Sequence, residues 1–141
     1  MKILNGILLT FLLFIGSCST RTNEDLMPYV DYYQKNLEQA GCEKVNLNTY
    51  SIEFSKDIPL NIYGYCMYTP YYKYIRISSF WWPLLSETER IILMVHEMNH
   101  CHFRIMHSDE ENHYMNAYMP SLSYEVFYKQ FRKSLQQVCK K

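Results

Sequence analysis

Apolar residues change their spacing several times along the chain, and each change marks an element. Ile3 to Ile15 is a nearly continuous apolar run, broken by Asn5, Gly6 and Thr10. Leu26, Val30, Tyr33 and Leu37 then recur at helical spacing, which predicts an amphipathic helix over about Asp25–Ala40. Pro28 falls in its first turn, where a missing N–H is harmless, and Gly41 is a fitting stop. The middle of the chain is strand-like. Ile52 and Phe54 alternate with polar neighbours, Asn61–Thr69 is rich in tyrosine, and Tyr72–Ser78 alternates around Ile75 and Ile77. Pro59 and Pro70 punctuate these runs. Their short connections leave no room for crossover helices, so the expected product is a small antiparallel sheet. Ser86 and Glu89 have capping-box spacing and open a helix expected from Glu87 to Phe103, with Ile91, Ile92, Val95 and Met98 on its apolar stripe. A polar stretch, His107–Asn116, leads to a last helix beginning near Ser123, lined by Tyr124, Phe127, Tyr128, Phe131, Leu135 and Val138. The pattern predicts one compact α+β domain: an N-terminal helix, a small sheet, a long central helix, a polar loop and a C-terminal helix.

The first apolar run stands apart from that domain. Lys2, the run itself and the small pair Gly16-Ser17 have the form of a secretory signal. The run is shorter than the roughly 20 apolar residues a membrane-spanning helix needs. Ile15-Gly16-Ser17-Cys18 resembles the lipobox of bacterial lipoproteins. The resemblance implies cleavage before Cys18, a lipid on its thiol, and a mature protein anchored in the bacterial cell envelope. Ser19 then favours the outer membrane or cell surface. The expected organisation is a signal peptide over 1–17, a lipidated tether over 18–24 and a domain over 25–141.

Charge narrows the partners. Loss of residues 1–17 removes one lysine, leaving 13 basic and 14 acidic residues. A net charge of −1 gives no basic field to recruit nucleic acid. Lys129, Arg132, Lys133, Lys140 and Lys141 read as a solvated helix face and tail. Four cysteines follow Cys18, namely Cys42, Cys66, Cys101 and Cys139. In an exported chain an even number suggests disulfides, with three pairings open. The lack of a C-x-x-C pair argues against a cysteine zinc site.

The chemistry concentrates in His96-Glu97-Met98-Asn99-His100. Four residues turn a helix by about 400°, so the two imidazoles lie about 40° apart and one turn apart in height. Both can reach one Zn²⁺ ion, and Glu97 can reach a water on that ion without ligating it. This is the spacing of zinc-dependent peptide hydrolysis: the metal activates water and Glu97 serves as general base. The competing reading is a pair of satisfied histidines on a semi-buried helix. A third ligand is needed, and His102, His107, Asp109, Glu110, Glu111, His113 and Glu125 all follow. His102 is about 200° from His100 around the helix and faces the wrong side.

His96-Glu97-x-x-His100, His107 and Met115-Asn116-Ala117-Tyr118 together resemble the metzincin metallopeptidases. They more closely resemble a group of small bacterial metallopeptidase-like lipoproteins. In that group a cysteine follows the second histidine and a third histidine comes seven residues after it. The resemblance covers about residues 64–131 and includes Tyr63-Gly64-Tyr65-Cys66. It implies His96, His100 and His107 as zinc ligands, Glu97 as base, Met115 as a methionine turn beneath the metal, and Tyr118 as a donor to the oxyanion. Cys66 and Cys101 both fall within the resembling segment, where a disulfide tying the sheet to the active-site helix stands beside the alternative of two buried free thiols. By the same analogy, substrate pairs with an edge strand beside the cleft, for which Tyr72–Ser78 is the candidate. The metzincin glycine is missing, and Arg104-Ile105-Met106 fills the turn. The extra residue before His107 is expected to relax the need for a positive φ there. The alternative function is a non-catalytic lipoprotein that binds zinc, or that binds a partner through its tyrosine-rich face with Trp81 and Trp82.

Overall fold

The computed structural model describes residues 21–140, so the signal segment and Cys18 lie outside the described residues. A 3-10 turn at Glu24–Leu26 leads into α1 (Met27–Gln39), with Pro28 in the first turn. Gly41 ends α1 at φ 73°, where the Gly41 N–H bonds to the Glu38 carbonyl and the Cys42 N–H to the Leu37 carbonyl. These two bonds form the left-handed stop that glycine favours. The three strands are β1 (Tyr50–Ser55), β2 (Gly64–Tyr68) and β3 (Lys73–Ser78).

Their order is β1-β3-β2. β2 and β3 pair antiparallel across the short turn closed by the Thr69 N–H and the Tyr72 carbonyl at 2.8 Å. β1 and β3 pair in parallel, Ile52 opposite Ile75 and Phe54 opposite Ile77. The sheet is therefore mixed, and the expectation of a purely antiparallel one is corrected. No crossover helix was needed, because β2 supplies the reversal between the two parallel strands. The loop after β1 carries the chain past the place β3 will take, and β2 becomes the far edge.

The segment expected as a tether is not free along its whole length. The Ile52 N–H bonds to the Arg21 carbonyl and the Asn23 N–H to the Ile52 carbonyl, at 2.9 and 2.8 Å. From Arg21 onward the chain lies along the outer edge of β1.

The capping box forms as expected. The Ser86 N–H bonds to Glu89 Oε2 at 2.7 Å, and the Glu89 N–H returns to Ser86 Oγ at 3.3 Å. It starts α2 (Glu87–Phe103), which contacts α1, β2, β3 and the final helix α3 (Tyr124–Val138). Partners on several sides bury more of α2 than the expected stripe: Leu93, Met94, His96, Glu97, Asn99 and Cys101 are buried together with Ile92, Val95 and Met98. Val30, Tyr33 and Leu37 of α1, Ile52, Ile75 and Ile77 of the sheet, and Phe127, Phe131 and Leu135 of α3 complete one core.

The four described cysteines pair as Cys42–Cys139 and Cys66–Cys101. The first joins the ends of α1 and α3. The second fastens the edge strand β2 to α2 one residue after His100.

Candidate metal centre

α2 presents His96 and His100 one turn apart, with their Nε2 atoms 2.9 Å from each other. His107 Nε2 comes to 3.2 Å from His96 Nε2, and the three nitrogens cluster within 4.8 Å of one another. The return to His107 depends on Arg104, whose φ of 57° and ψ of 35° are left-handed. The turn therefore takes the positive φ that the extra residue was expected to make unnecessary. An arginine stands where a glycine would be unstrained, at a cost of about 1–2 kcal/mol.

The outer nitrogens of the two helical histidines settle the tautomers. His96 Nδ1 lies 2.9 Å from the Tyr114 carbonyl, and His100 Nδ1 bonds to the Ile105 carbonyl. A carbonyl only accepts, so both Nδ1 atoms carry hydrogen. Burial lowers the basicity of both rings; for His96 the neighbouring His100, His107 and His113 add to this against the Tyr114 carbonyl, and its value falls to about 4. Both rings are therefore neutral near pH 7, and each Nε2 is a bare lone pair. Two bare lone pairs at 2.9 Å repel unless a cation lies between them. Tetrahedral Zn–N bonds near 2.05 Å place the nitrogens about 3.3 Å apart, close to the spacing here. Carbonyl partners on Nδ1 are also the usual support for histidine ligands. The donor set fits a zinc-type ion.

The other candidates stand elsewhere. The His102 ring lies edge-on to Tyr33, with centroids 6.3 Å apart. His113 Nδ1 accepts the Met115 N–H at 3.1 Å. Among the described residues, Asp109, Glu110, Glu111 and Glu125 contribute no carboxylate to the cluster.

Glu97 is buried beside His96 and lines the same cleft as the three histidines. Burial pushes its carboxyl up to about 8, against the lowering effect of the Cys66 backbone N–H. Its Oε2 has no hydrogen-bond partner among the described residues. β2 passes so close that a Cβ on Gly64 would stand 3.0 Å from Ile77 Cδ1 and 3.4 Å from Glu97 Cγ. The cleft has a volume of about 770 Å³. β2, not Tyr72–Ser78, is the edge strand beside it. β3 lies between two partners and has no free edge, which corrects the earlier choice.

Met115 is buried, and its Sδ is 4.0 Å from Asn99 Nδ2. Its carbonyl accepts the Ser108 N–H at 2.8 Å, which fastens the methionine segment to the residue following His107. Tyr118 lines the cleft with its side chain 83% exposed, and its N–H bonds to Asn116 Oδ1.

Sequence reasoning missed the residues that hold this loop. Asn99 is fully buried; Tyr33 donates to its Oδ1 at 2.8 Å, and its Nδ2 donates to Tyr114 Oη at 2.9 Å. Tyr114 supplies the carbonyl for His96, and its N–H bonds to Gln130 Oε1 of α3. A polar residue inside the apolar part of α2 was the available signal for Asn99. Tyr114 had none among 14 tyrosines. An Asn99→Leu chain should lose about 2–3 kcal/mol of stability, because two buried tyrosine hydroxyls lose a partner. Its zinc affinity should fall about tenfold or more, as for other lost supports of a ligand. Denaturant titration and competition with a zinc chelator measure the two effects; an unchanged affinity would remove Asn99 from the support of His96.

No protein-family model, no curated protein and no solved structure matches this chain.

Proposed function

We propose that the chain is a zinc-dependent peptidase and, through a lipid on Cys18, a protein of the bacterial cell envelope. The observation that carries the enzymatic reading is the pair of bare Nε2 lone pairs at 2.9 Å, joined by His107 and flanked by a buried carboxylate. His96, His100 and His107 hold the ion. A zinc ion held there would lower the pKa of its water to about 7 and would polarise the scissile carbonyl. Glu97 takes the proton of the attacking water and passes it to the leaving amine. Burial alone raises its carboxyl to about 8 in the metal-free protein; a dication held beside it would favour the ionised form that accepts the proton. Extended substrate lies along the outer edge of β2, where main-chain groups can pair with it. Tyr118, on the cleft wall, donates to the oxyanion once substrate brings its ring inward.

The test begins with metal content. Purified chain equilibrated with zinc should hold one ion, and His100→Ala should hold none at the same free zinc. The loaded chain should cut members of a peptide library read by mass spectrometry, and a chelator should stop the cutting. Absence of stoichiometric zinc would sink the reading. Zinc without cleavage of any peptide would leave a binding lipoprotein. In the producing bacterium, a labelled fatty acid should enter the wild-type chain and not a Cys18→Ser chain.

A further inference from the structure

Arg104 is the one non-glycine residue with a positive φ among the described residues, and it lies on the wall of the cleft. Strain of this kind persists where the surrounding structure holds it, and it is a recognised mark of functional positions. Glycine would satisfy the same backbone without strain, so the side chain itself is what needs explaining.

That side chain is exposed, and its guanidinium lies over the Tyr68 ring, 5.0 Å from the centroid. Tyr68 is the last residue of the edge strand β2. No carboxylate among the described residues forms an ion pair with Arg104. A guanidinium held over a ring face still has N–H donors free for a further partner. Apart from the buried Glu97, Arg104 is the only Lys, Arg, Asp or Glu on the cleft wall among the described residues. Lys73, opposite Tyr68 in the sheet, turns its ammonium away from the cleft and over the Tyr50 ring of β1, 4.9 Å from the centroid.

We infer that Arg104, held over the Tyr68 ring, is a substrate-binding residue that recognises a carboxylate of a peptide lying along β2. The inference rests on the reading of this cleft as a peptide groove. An aromatic-backed guanidinium presents paired N–H groups that match a carboxylate's two oxygens. The carboxylate comes either from an acidic side chain or from the peptide's free C-terminus. The competing role is structural: a cation near the C-terminal end of α2 interacts favourably with the helix dipole.

Binding separates these possibilities without relying on turnover. The full chain carrying Glu97→Gln, loaded with zinc, is titrated with fluorescent peptides by anisotropy. One set is neutral with an amidated C-terminus, one carries a single Glu at successive positions, and one is neutral with a free C-terminus. The expected result is roughly tenfold tighter binding of either the Glu-bearing or the free-acid peptides, about one charge-assisted hydrogen bond. Adding Arg104→Gln should abolish that preference and leave neutral peptides unaffected. Adding Arg104→Gly should do the same with an equal or higher melting temperature, because the strain is gone. Equal binding of all three sets, or of none, overturns the inference, as does a preference that survives Arg104→Gln. A lower melting temperature in Arg104→Gly with the preference intact assigns Arg104 to the helix end instead. Carboxylate preference in a chain whose wild type cuts no peptide would sustain the inference and defeat the peptidase reading. Cleavage with no such preference would do the opposite.

Discussion

A Glu97→Gln chain should bind zinc as the wild type does and hydrolyse peptides at least about a thousandfold more slowly, within the range contributed by general acid–base groups. Glutamine keeps the shape of the side chain and an oxygen to accept the Cys66 N–H, so the buried site stays filled. The three nitrogens that hold the ion are untouched. What disappears is the capacity to take a proton from the attacking water. Single-turnover rates on the best peptide, with zinc measured on the same sample, give the comparison. A Glu97→Gln chain that cleaves at the wild-type rate would remove Glu97 from the reaction.

The same substitution has a second signature in metal-free protein. Burial raises the Glu97 carboxyl from 4.5 to about 8. Between those values the folded state holds a proton that the unfolded chain has released. This contribution is complete below pH 4.5 and is lost as pH rises through about 8. The melting temperature of the metal-free wild type should therefore fall across that window by more than that of Glu97→Gln.

The second large effect concerns Cys42–Cys139. This bridge spans 97 residues of sequence, and closing so long a loop restricts the unfolded chain by about 4–5 kcal/mol. Domains of this size have a total stability of roughly 6–18 kcal/mol. The double change Cys42→Ser and Cys139→Ser should lower the melting temperature by roughly 15–20 °C. Neither cysteine lines the cleft, so zinc stoichiometry at low temperature should be unchanged. Scanning calorimetry of the variant checks it, and wild type treated with a reductant should move in the same direction. A shift of less than about 3 °C would mean that the bridge adds little beyond the α1–α3 packing around Tyr33 and Phe131, whose rings stack at 5.9 Å.

Helix content and the centre of the site were legible in the sequence because both depend on short-range spacing. The i,i+4 pair His96 and His100 and the capping box at Ser86 are fixed by helix geometry alone. The sheet order was not legible. Whether β1 meets β2 or β3 depends on where the loop after Ser55 crosses, and alternation records only which face of a strand is buried. The choice of an edge strand failed for the same reason, since Tyr72–Ser78 has the better alternation because it is central. His107 was one of several ligand-type residues until the chain turned at Arg104. That turn contradicted the local preference for glycine, so only the three-dimensional path revealed it. The hydrogen bonds of Asn99 and Tyr114 join residues far apart in sequence and leave no periodic trace.

The bonds that fasten Arg21 and Asn23 to β1 set a reach. If Cys18 carries a lipid, only the three peptide steps from Cys18 to Arg21 separate the anchor from the folded body. Fully extended, three residues span about 10 Å, less than even the radius of gyration of about 14 Å expected for a domain of this size. Such a leash does not let the domain swing freely through the surrounding fluid. On the proposed reading of a lipid-anchored peptidase, the body would rest against the bilayer, the mouth of the cleft would keep a restricted tilt, and the peptides within range would be those lying close to the membrane surface.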